Sequence, residues 1–222
     1  MKRGPLSAVE AAVVGCRRCP RLVTRREEAA DDSRAVPGAA YWARPVPGFG
    51  DPAARVFVLG LATAAHGGNR TGRAFTGNPS ADSLMPAMHR AGFASRATSE
   101  HRGDGLHLDG AWMASVVRCP PPGNRPTPGE RDRCLPYLRA EVAALPALRV
   151  IVALGGWTWS AVLKAFDAPP RPRFGHGAEH RLPAGPLLLG CYHPSRQNTA
   201  TGVLTAPMLD DVLGRARELA DA

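Results

Sequence analysis

Four apolar segments of strand length, each emptying directly into a loop rich in glycine, proline or small polar residues, restrict the fold of this chain more than any other feature. The first is Arg55-Val-Phe-Val-Leu-Gly60, which runs into AAHGGNRTGRAFTGNPS. The second covers residues 112–117 and ends at Cys119 and PPPGNRPTP; the third covers 150–154 and is followed by Gly155 and Gly156. The fourth, 186–191, leads straight into Tyr192-His193-Pro194-Ser195. A continuous apolar run, as opposed to an alternating one, marks a strand covered on both faces. Helical segments separate these strands. One spans about 80–90, with Pro86 expected to disturb it. Another follows Thr127-Pro-Gly-Glu130, a capping box with proline at the first helical position, so that Cys134 falls near its start. WTWSAVLKAF follows the third strand, and residues 206–220 form an amphipathic helix. Strands alternating with crossover helices predict an α/β fold, a parallel sheet with helices on both faces. The ligand of such a sheet lies beyond the carboxyl ends of its strands, here the loops after residues 60, 118, 155 and 192.

At the amino end Ser7-Ala-Val-Glu10 also has the capping-box pattern and predicts a helix over 9–15, leaving Cys16 and Cys19 in the turn that follows. Residues 30–53, rich in Pro, Gly, Ala and Arg, predict a long surface connection. A length of 222 residues suits a single domain, 1–222, with its own core. No run of about 18 apolar residues crosses a bilayer, and Glu10, Arg17 and Arg18 break up the amino-terminal apolar stretch that a secretory signal needs. A reducing, cytoplasmic setting is therefore expected, in which five cysteines read as ligands or buried thiols before disulfides. With 28 Lys and Arg against 19 Asp and Glu, the net charge of +9 points to a polyanionic partner, nucleic acid first.

Four cysteines pair off as Cys16-x2-Cys19 and Cys119-x14-Cys134, and Cys191 reads as a small buried strand residue. The basic turn CRRC favours thiolate. Four thiolates suit a tetrahedral zinc or a [4Fe–4S] cluster, and the spacings do not separate the two; scattered buried thiols are the structural alternative. The loop Gly67-Gly-Asn-Arg-Thr-Gly-Arg73-Ala74 approaches a phosphate-binding loop in its glycines, but Arg73 replaces the lysine and Ala74 removes the hydroxyl that holds magnesium. A nucleoside triphosphatase is thereby disfavoured, while Arg70 and Arg73 are candidates for meeting phosphates. His193 follows its strand without a gap and is stiffened by Pro194. Arg196 and Gln197 after it suit a phosphate or a base edge.

CRRCPRLV, GLATAAHGGNRTGRAFTGNPS, VVRCPPPGNRPTP, VALGGWTW and HPSRQNTATGVLT together resemble the uracil-DNA glycosylase superfamily, most closely its iron–sulfur type b branch, family 5. The resemblance implies a three-layer α/β/α sandwich with a central four-stranded parallel sheet, a [4Fe–4S] cluster on Cys16, Cys19, Cys119 and Cys134, with zinc as the alternative occupant, and excision of deaminated bases from DNA. Phe75 corresponds to the aromatic on which the extruded base stacks, with Leu61 and Ala62 beside it. His193 corresponds to the donor to the leaving base. Ser195, Arg196, Gln197 and Asn198 fall in the loop that enters the duplex, with Arg70 and Arg73 as further DNA contacts. Two departures stand out. Asn78 occupies the position of an Asp that activates or positions water; its carbonyl oxygen is expected to orient a water instead. Thr63 stands where proline is common. The only lysines, Lys2 and Lys164, are not placed to form a Schiff base, so a monofunctional enzyme is expected. It would act as a monomer on double-stranded and single-stranded DNA, on uracil first, with hypoxanthine and xanthine as further substrates. The competing readings are a catalytically impaired damaged-DNA-binding protein with a structural cluster, and a zinc-dependent nucleic-acid enzyme.

Overall fold

The computed structural model describes residues 4–168, 172–183 and 185–222. Its strands are β1 (Phe49–Gly50), β2 (Val56–Ala62), β3 (Ala111–Val117), β4 (Val150–Leu154), β5 (Glu179–Arg181) and β6 (Leu187–Cys191). They form one sheet in the order β1-β3-β2-β4-β6-β5. The four apolar segments are the central strands β3, β2, β4 and β6, all parallel. Two short antiparallel strands, β1 and β5, flank them and had no counterpart in the sequence reading. The reason is that β5, Glu-His-Arg, is an edge held by backbone pairing with β6, and a strand without a buried face leaves no apolar run.

Side-chain alternation explains the continuous runs. Val56, Val58, Met113, Val150, Val152 and Leu189 face one layer, while Phe57, Leu59, Trp112, Ala114, Ile151 and Leu188 face the other. The α-helices are α1 (Pro5–Val14), α2 (Pro20–Glu27), α3 (Gly68–Thr71), α4 (Pro79–Arg90), α5 (Pro128–Ala144), α6 (Gly156–Ala165), α7 (Arg196–Ala200) and α8 (Ala206–Asp221). Helices α4 and α8 cover the first face through Leu84, Met85, Met88, Leu209, Val212 and Leu213. The second is covered by α5 and α6 through Leu135, Leu138, Trp159 and Val162, with Leu22 of α2 added and α1 lying on α5. Each such buried side chain contributes roughly 1.5–3 kcal/mol, and together they fix a three-layer α/β/α architecture.

Three local expectations are corrected. Helix α1 begins at Pro5, capped by Gly4, because proline presets the first helical φ; Ser7 therefore sits within the first turn and donates to the Gly4 carbonyl at 2.9 Å instead of capping. Pro86 does not interrupt α4. Its missing N–H leaves only the carbonyl of exposed Asp82 without a helical partner, which water can serve, while Leu84, Met85, Ala87 and Met88 are buried around it. The 30–53 segment is not wholly superficial: Pro45, Val46 and Pro47 are buried. There the Val46 N–H donates to the Arg118 carbonyl at 2.8 Å, and the Gly48 N–H donates to Glu141 Oε1 at 3.2 Å. Glu141 on α5 is itself paired with Arg118 just past β3, both almost completely buried. No described helix is long and apolar enough to cross a membrane.

Candidate active site

A cavity of about 510 Å³ opens at the carboxyl edge of the parallel strands, where the loops after β2, β3 and β6 meet the start of α4. Leu61 and Ala62 at the end of β2, Phe75, Asn78, His193, Ser195, Arg196 and Gln197 all line it. Segments separated by more than a hundred residues in sequence thus reach one hollow because the strands that carry them run in the same direction.

Phe75 is 8% exposed and has φ +48°, a left-handed conformation that costs a non-glycine residue about 1–2 kcal/mol. Its neighbours hold it there. Arg73, 5% exposed, donates to Asp104 at 2.6 and 3.0 Å, to Ser99 Oγ at 3.0 Å and to Thr76 Oγ1 at 2.9 Å, and Thr76 Oγ1 donates to the Ala74 carbonyl at 3.1 Å. The ring lies against Gly60 of β2, where a Cβ would come within 2.5 Å of Phe75 Cζ. Gly60→Ala is therefore expected to displace the ring and weaken binding of a planar ligand stacked on it by roughly 5- to 150-fold, the equivalent of about 1–3 kcal/mol of stacking. Affinity equal to the parent's, in a variant with unchanged circular dichroism, would show that the ring's position is immaterial.

Asn78 caps α4. Its Oδ1 accepts from the N–H groups of Ser80 and Ala81, both at 3.1 Å, so both lone pairs of the oxygen are engaged. The expectation that this oxygen orients a water is therefore corrected: the group Asn78 has left is its Nδ2, which lies 3.5 Å from the Thr76 carbonyl. The close approach depends on Gly67, since a Cβ there would stand 2.4 Å from Nδ2.

His193 is surrounded by protein on most sides and keeps an opening to the cavity, where neither ring nitrogen bonds to the protein among the described residues. Burial pushes its pKa down to about 4, so the ring is neutral at physiological pH and donates from one nitrogen only. Its backbone carbonyl accepts from Asn198 Nδ2 at 2.9 Å and from the Ser195 N–H at 2.8 Å. Ser195 in turn caps α7, accepting from the Asn198 N–H at 3.2 Å.

The structure separates three sequence candidates from the cavity. Arg73 is corrected outright: its donors are taken up by an internal ion-pair network, and it braces the loop that carries Phe75 instead of meeting phosphate. Arg70 donates to the carbonyls of His66 and Gly77, at 2.8 and 3.4 Å, and so holds the same loop from its other side. Asn198 braces the His193 backbone. Conversely, Ser115 and Asn124 line the cavity and were not among the candidates, and Thr63, noted in the sequence only as a departure, lines it as well. Ser115 is the one hydroxyl in AWMASVV, a polar residue inside an apolar strand, and it sits opposite Gly60 in the sheet. Asn124, exposed with φ +57°, lies in a Gly-Asn turn that sequence alone reads as a plain connection.

On the far side of the loop after β3, Cys16, Cys19, Cys119 and Cys134 line one small cavity, all as free thiols, while Cys191 is buried in β6. Among the described residues no group of three or more His, Cys, Asp or Glu side chains is gathered tightly enough to hold a single ion. Arg26 and Arg118 line the same cavity, nearly completely buried, and the Nε of each lacks a hydrogen-bond partner. Arg26 Nη1 donates to the Cys119 sulfur at 3.5 Å. Burial pushes the Cys119 thiol up to about 12 against this arginine. At Cys16 burial also raises the pKa, but hydrogen bonds from Tyr137 and Arg18 outweigh it and hold the thiol below its ordinary value. Four sulfur donors walled by two buried arginines, each with an unpartnered Nε, fit a group that binds thiolates and carries negative charge.

Fold and cavity together define an α/β protein with a weakly polar, ring-sided ligand pocket at the carboxyl edge of a parallel sheet. The sequence matches the uracil DNA glycosylase superfamily over residues 47–216. It is 50% identical over 221 residues to a type-5 uracil-DNA glycosylase of Mycobacterium bovis, covering 98% of this chain and 82% of that one. It is 49% identical over 209 residues to a type-5 uracil-DNA glycosylase of Thermus thermophilus, covering 94% and 95% of the two chains. A type-5 uracil-DNA glycosylase of Pyrobaculum aerophilum is 46% identical over 204 residues, covering 92% and 88%. The chain belongs to the uracil-DNA glycosylase superfamily.

Proposed function

We propose that the protein is a monofunctional uracil-DNA glycosylase, working as a monomer and a single domain, 1–222, that hydrolyses the N-glycosidic bond of uracil in DNA and leaves an abasic site. The observation that carries this reading is the convergence of Phe75 and His193 on one cavity large enough for a nucleobase. An extruded base enters the hollow and stacks on Phe75, which offsets part of the few kcal/mol lost on unstacking. Bond cleavage leaves electrons on the base and positive charge on the sugar. The neutral His193 ring donates a hydrogen bond to the departing base, where negative charge develops. Water adds to the sugar carbon as the C–N bond breaks, and its proton ends on the departing base by way of solvent; with the Asn78 oxygen engaged in capping, the side-chain amides left on the wall to orient that water are Asn124 and Gln197. Arg196 and Gln197 stand at the mouth of the cavity, where DNA arrives. Ser115 offers a hydroxyl that rotates to donate or accept, which suits hypoxanthine and xanthine as well as uracil.

The test is single-turnover excision from uracil-containing duplex and single strand. Abasic product from the parent is expected, with Asn78→Asp about 10²-fold faster, because a carboxylate caps α4 with one oxygen and keeps a second that accepts a proton from water, whereas Nδ2 only donates. Binding without product from the parent would favour the damaged-DNA-binding reading. The pH dependence is a second check. Among the described residues no side chain lining the cavity changes charge between about pH 5 and 9, so the single-turnover rate should be flat across that range. Were a cationic imidazole the donor, the rate would climb as pH falls toward 4.

For the thiol cavity we propose a structural [4Fe–4S] cluster held by Cys16, Cys19, Cys119 and Cys134. When bound, it would tie the turn between α1 and α2 to β3 and α5, and its negative charge would take up the free donors of Arg26 and Arg118. Anaerobically purified protein is expected to absorb near about 400 nm and to lose that band, with a lower melting temperature, in Cys119→Ser. Stoichiometric zinc without the band would replace the cluster by zinc.

A further inference from the structure

A second cavity, of about 220 Å³, adjoins the base cavity and shares Ala64, Asn78, Pro79 and Asn124 with it as a common wall. Its outer wall carries Arg25, from α2, and Arg34. Asp32 lies between them, 2.8 Å from Arg25 Nη2 and 3.5 Å from Arg34 Nη2. The Asp32 carboxyl is held far below the usual range by the backbone N–H and guanidinium of Arg34 and by Arg25, which together outweigh burial, so it is ionised at neutral pH. His66, also on the wall, has its pKa lowered by burial in spite of Asp32 and adds no charge; its Nδ1 lies 2.9 Å from the Tyr41 hydroxyl. Two guanidiniums against one carboxylate leave a surplus of one positive charge. The Nε and Nη1 of both arginines make no hydrogen bond to the protein among the described residues.

We propose that this cavity is a phosphate subsite, in which Arg25 and Arg34 hold one phosphodiester of the DNA backbone next to the nucleotide whose base occupies the larger cavity. The inference rests on the reading of that larger cavity as a base pocket. A nucleotide extruded into it leaves its flanking phosphates at its rim, and the rim on this side is the shared wall. One surplus charge matches one phosphodiester, and two guanidinium edges with unused donors suit its two free oxygens. Arg25 and Arg34 thereby take the phosphate role that sequence assigned to Arg70 and Arg73, of which Arg73 spends its guanidinium on an internal network and Arg70 holds two loop carbonyls through Nε and Nη2. Asp32 competes with the phosphate for both arginines, and sets how tightly undamaged DNA is held.

The experiment is equilibrium binding of the intact protein, as purified, to a duplex carrying a tetrahydrofuran abasic analogue, measured across salt concentration. Loss of one phosphate contact lowers the slope of log K against log salt by about 0.9. Arg25→Ala/Arg34→Ala and Arg34→Glu are expected to show that drop. Asp32→Asn should tighten binding several-fold, a gain that misfolding does not mimic. Arg55→Ala, which removes a charge at the opposite, amino end of β2, is the reference and should leave the slope in place. Arg34 is largely exposed, so Arg34→Glu retains the fold and keeps the test decisive if the double variant does not. A parental slope in Arg34→Glu, an equal drop in Arg55→Ala, or weaker binding by Asp32→Asn overturns the subsite. Uracil excision by the parent reads the base cavity separately. Excision with an unchanged slope in the variants refutes the subsite alone, and a lowered slope without excision refutes the enzymatic reading alone.

Discussion

Replacing His193 by alanine is expected to lower single-turnover excision of uracil by on the order of 10²–10³-fold, the loss that follows removal of one preorganised donor from developing negative charge. The loss stays within that range because other donors, Asn78 Nδ2, the Ser115 hydroxyl and the Asn124 and Gln197 amides, also line the cavity and keep part of the stabilisation. The imidazole also enters the reaction neutral, so the protein does not have to strip a proton or solvent shell from it at the moment of bond breaking. Affinity for the abasic-analogue duplex, which lacks the base, should stay within about threefold, because the interaction is made with the leaving group in the transition state. Equal losses in rate and in affinity would assign His193 to DNA binding and leave the departing base without a donor.

Glu141→Ala is expected to destabilise the fold by about 3–5 kcal/mol, since it strands the guanidinium of Arg118 in the interior. The damage spreads, because Glu141 Oε1 also accepts from the Gly48 N–H and Arg118 Nη1 donates to that same oxygen at 2.9 Å. For a chain of this size the melting temperature should fall by roughly 10 °C or more. The double replacement Arg118→Met/Glu141→Leu should recover most of the loss, as apolar substitutes for buried ion pairs commonly do. A single variant that melts within a degree or two of the parent would mean that water or another group reaches Arg118.

How much of this was legible in the sequence depends on the range over which each signal acts. The four parallel strands and the principal helices follow from side-chain burial along the chain itself: a strand covered twice needs apolar residues at successive positions, and 56–59 and 150–154 supply them. Phe75, His193 and the cysteine pairs were visible because their motifs are compact and their neighbours carry the resemblance. The edge strands β1 and β5 were not, since their pairing partners are backbone groups far away in sequence. Ser115 and Asn124 escaped for a related reason, as nothing in AWMASVV or PPPGN states which loop lies across from it.

By itself, then, the sequence determined the layered α/β architecture and the kinds of residue placed at the carboxyl ends of its strands, because burial periodicity and loop composition are properties of short stretches. The tertiary structure alone decided what each polar group is free to do. Arg73 and Arg70 carry the charge that phosphate binding needs, yet Asp104, Ser99 and Thr76 take up the donors of Arg73 and two carbonyls hold Nε and Nη2 of Arg70, while Arg25 and Arg34 each spend only Nη2, on Asp32, beside the cavity. Asn78 has an oxygen that water could use, yet two backbone N–H groups take it first. Hydrogen-bonding capacity is finite, and which partner claims it is settled by the segments that folding brings within about 3 Å.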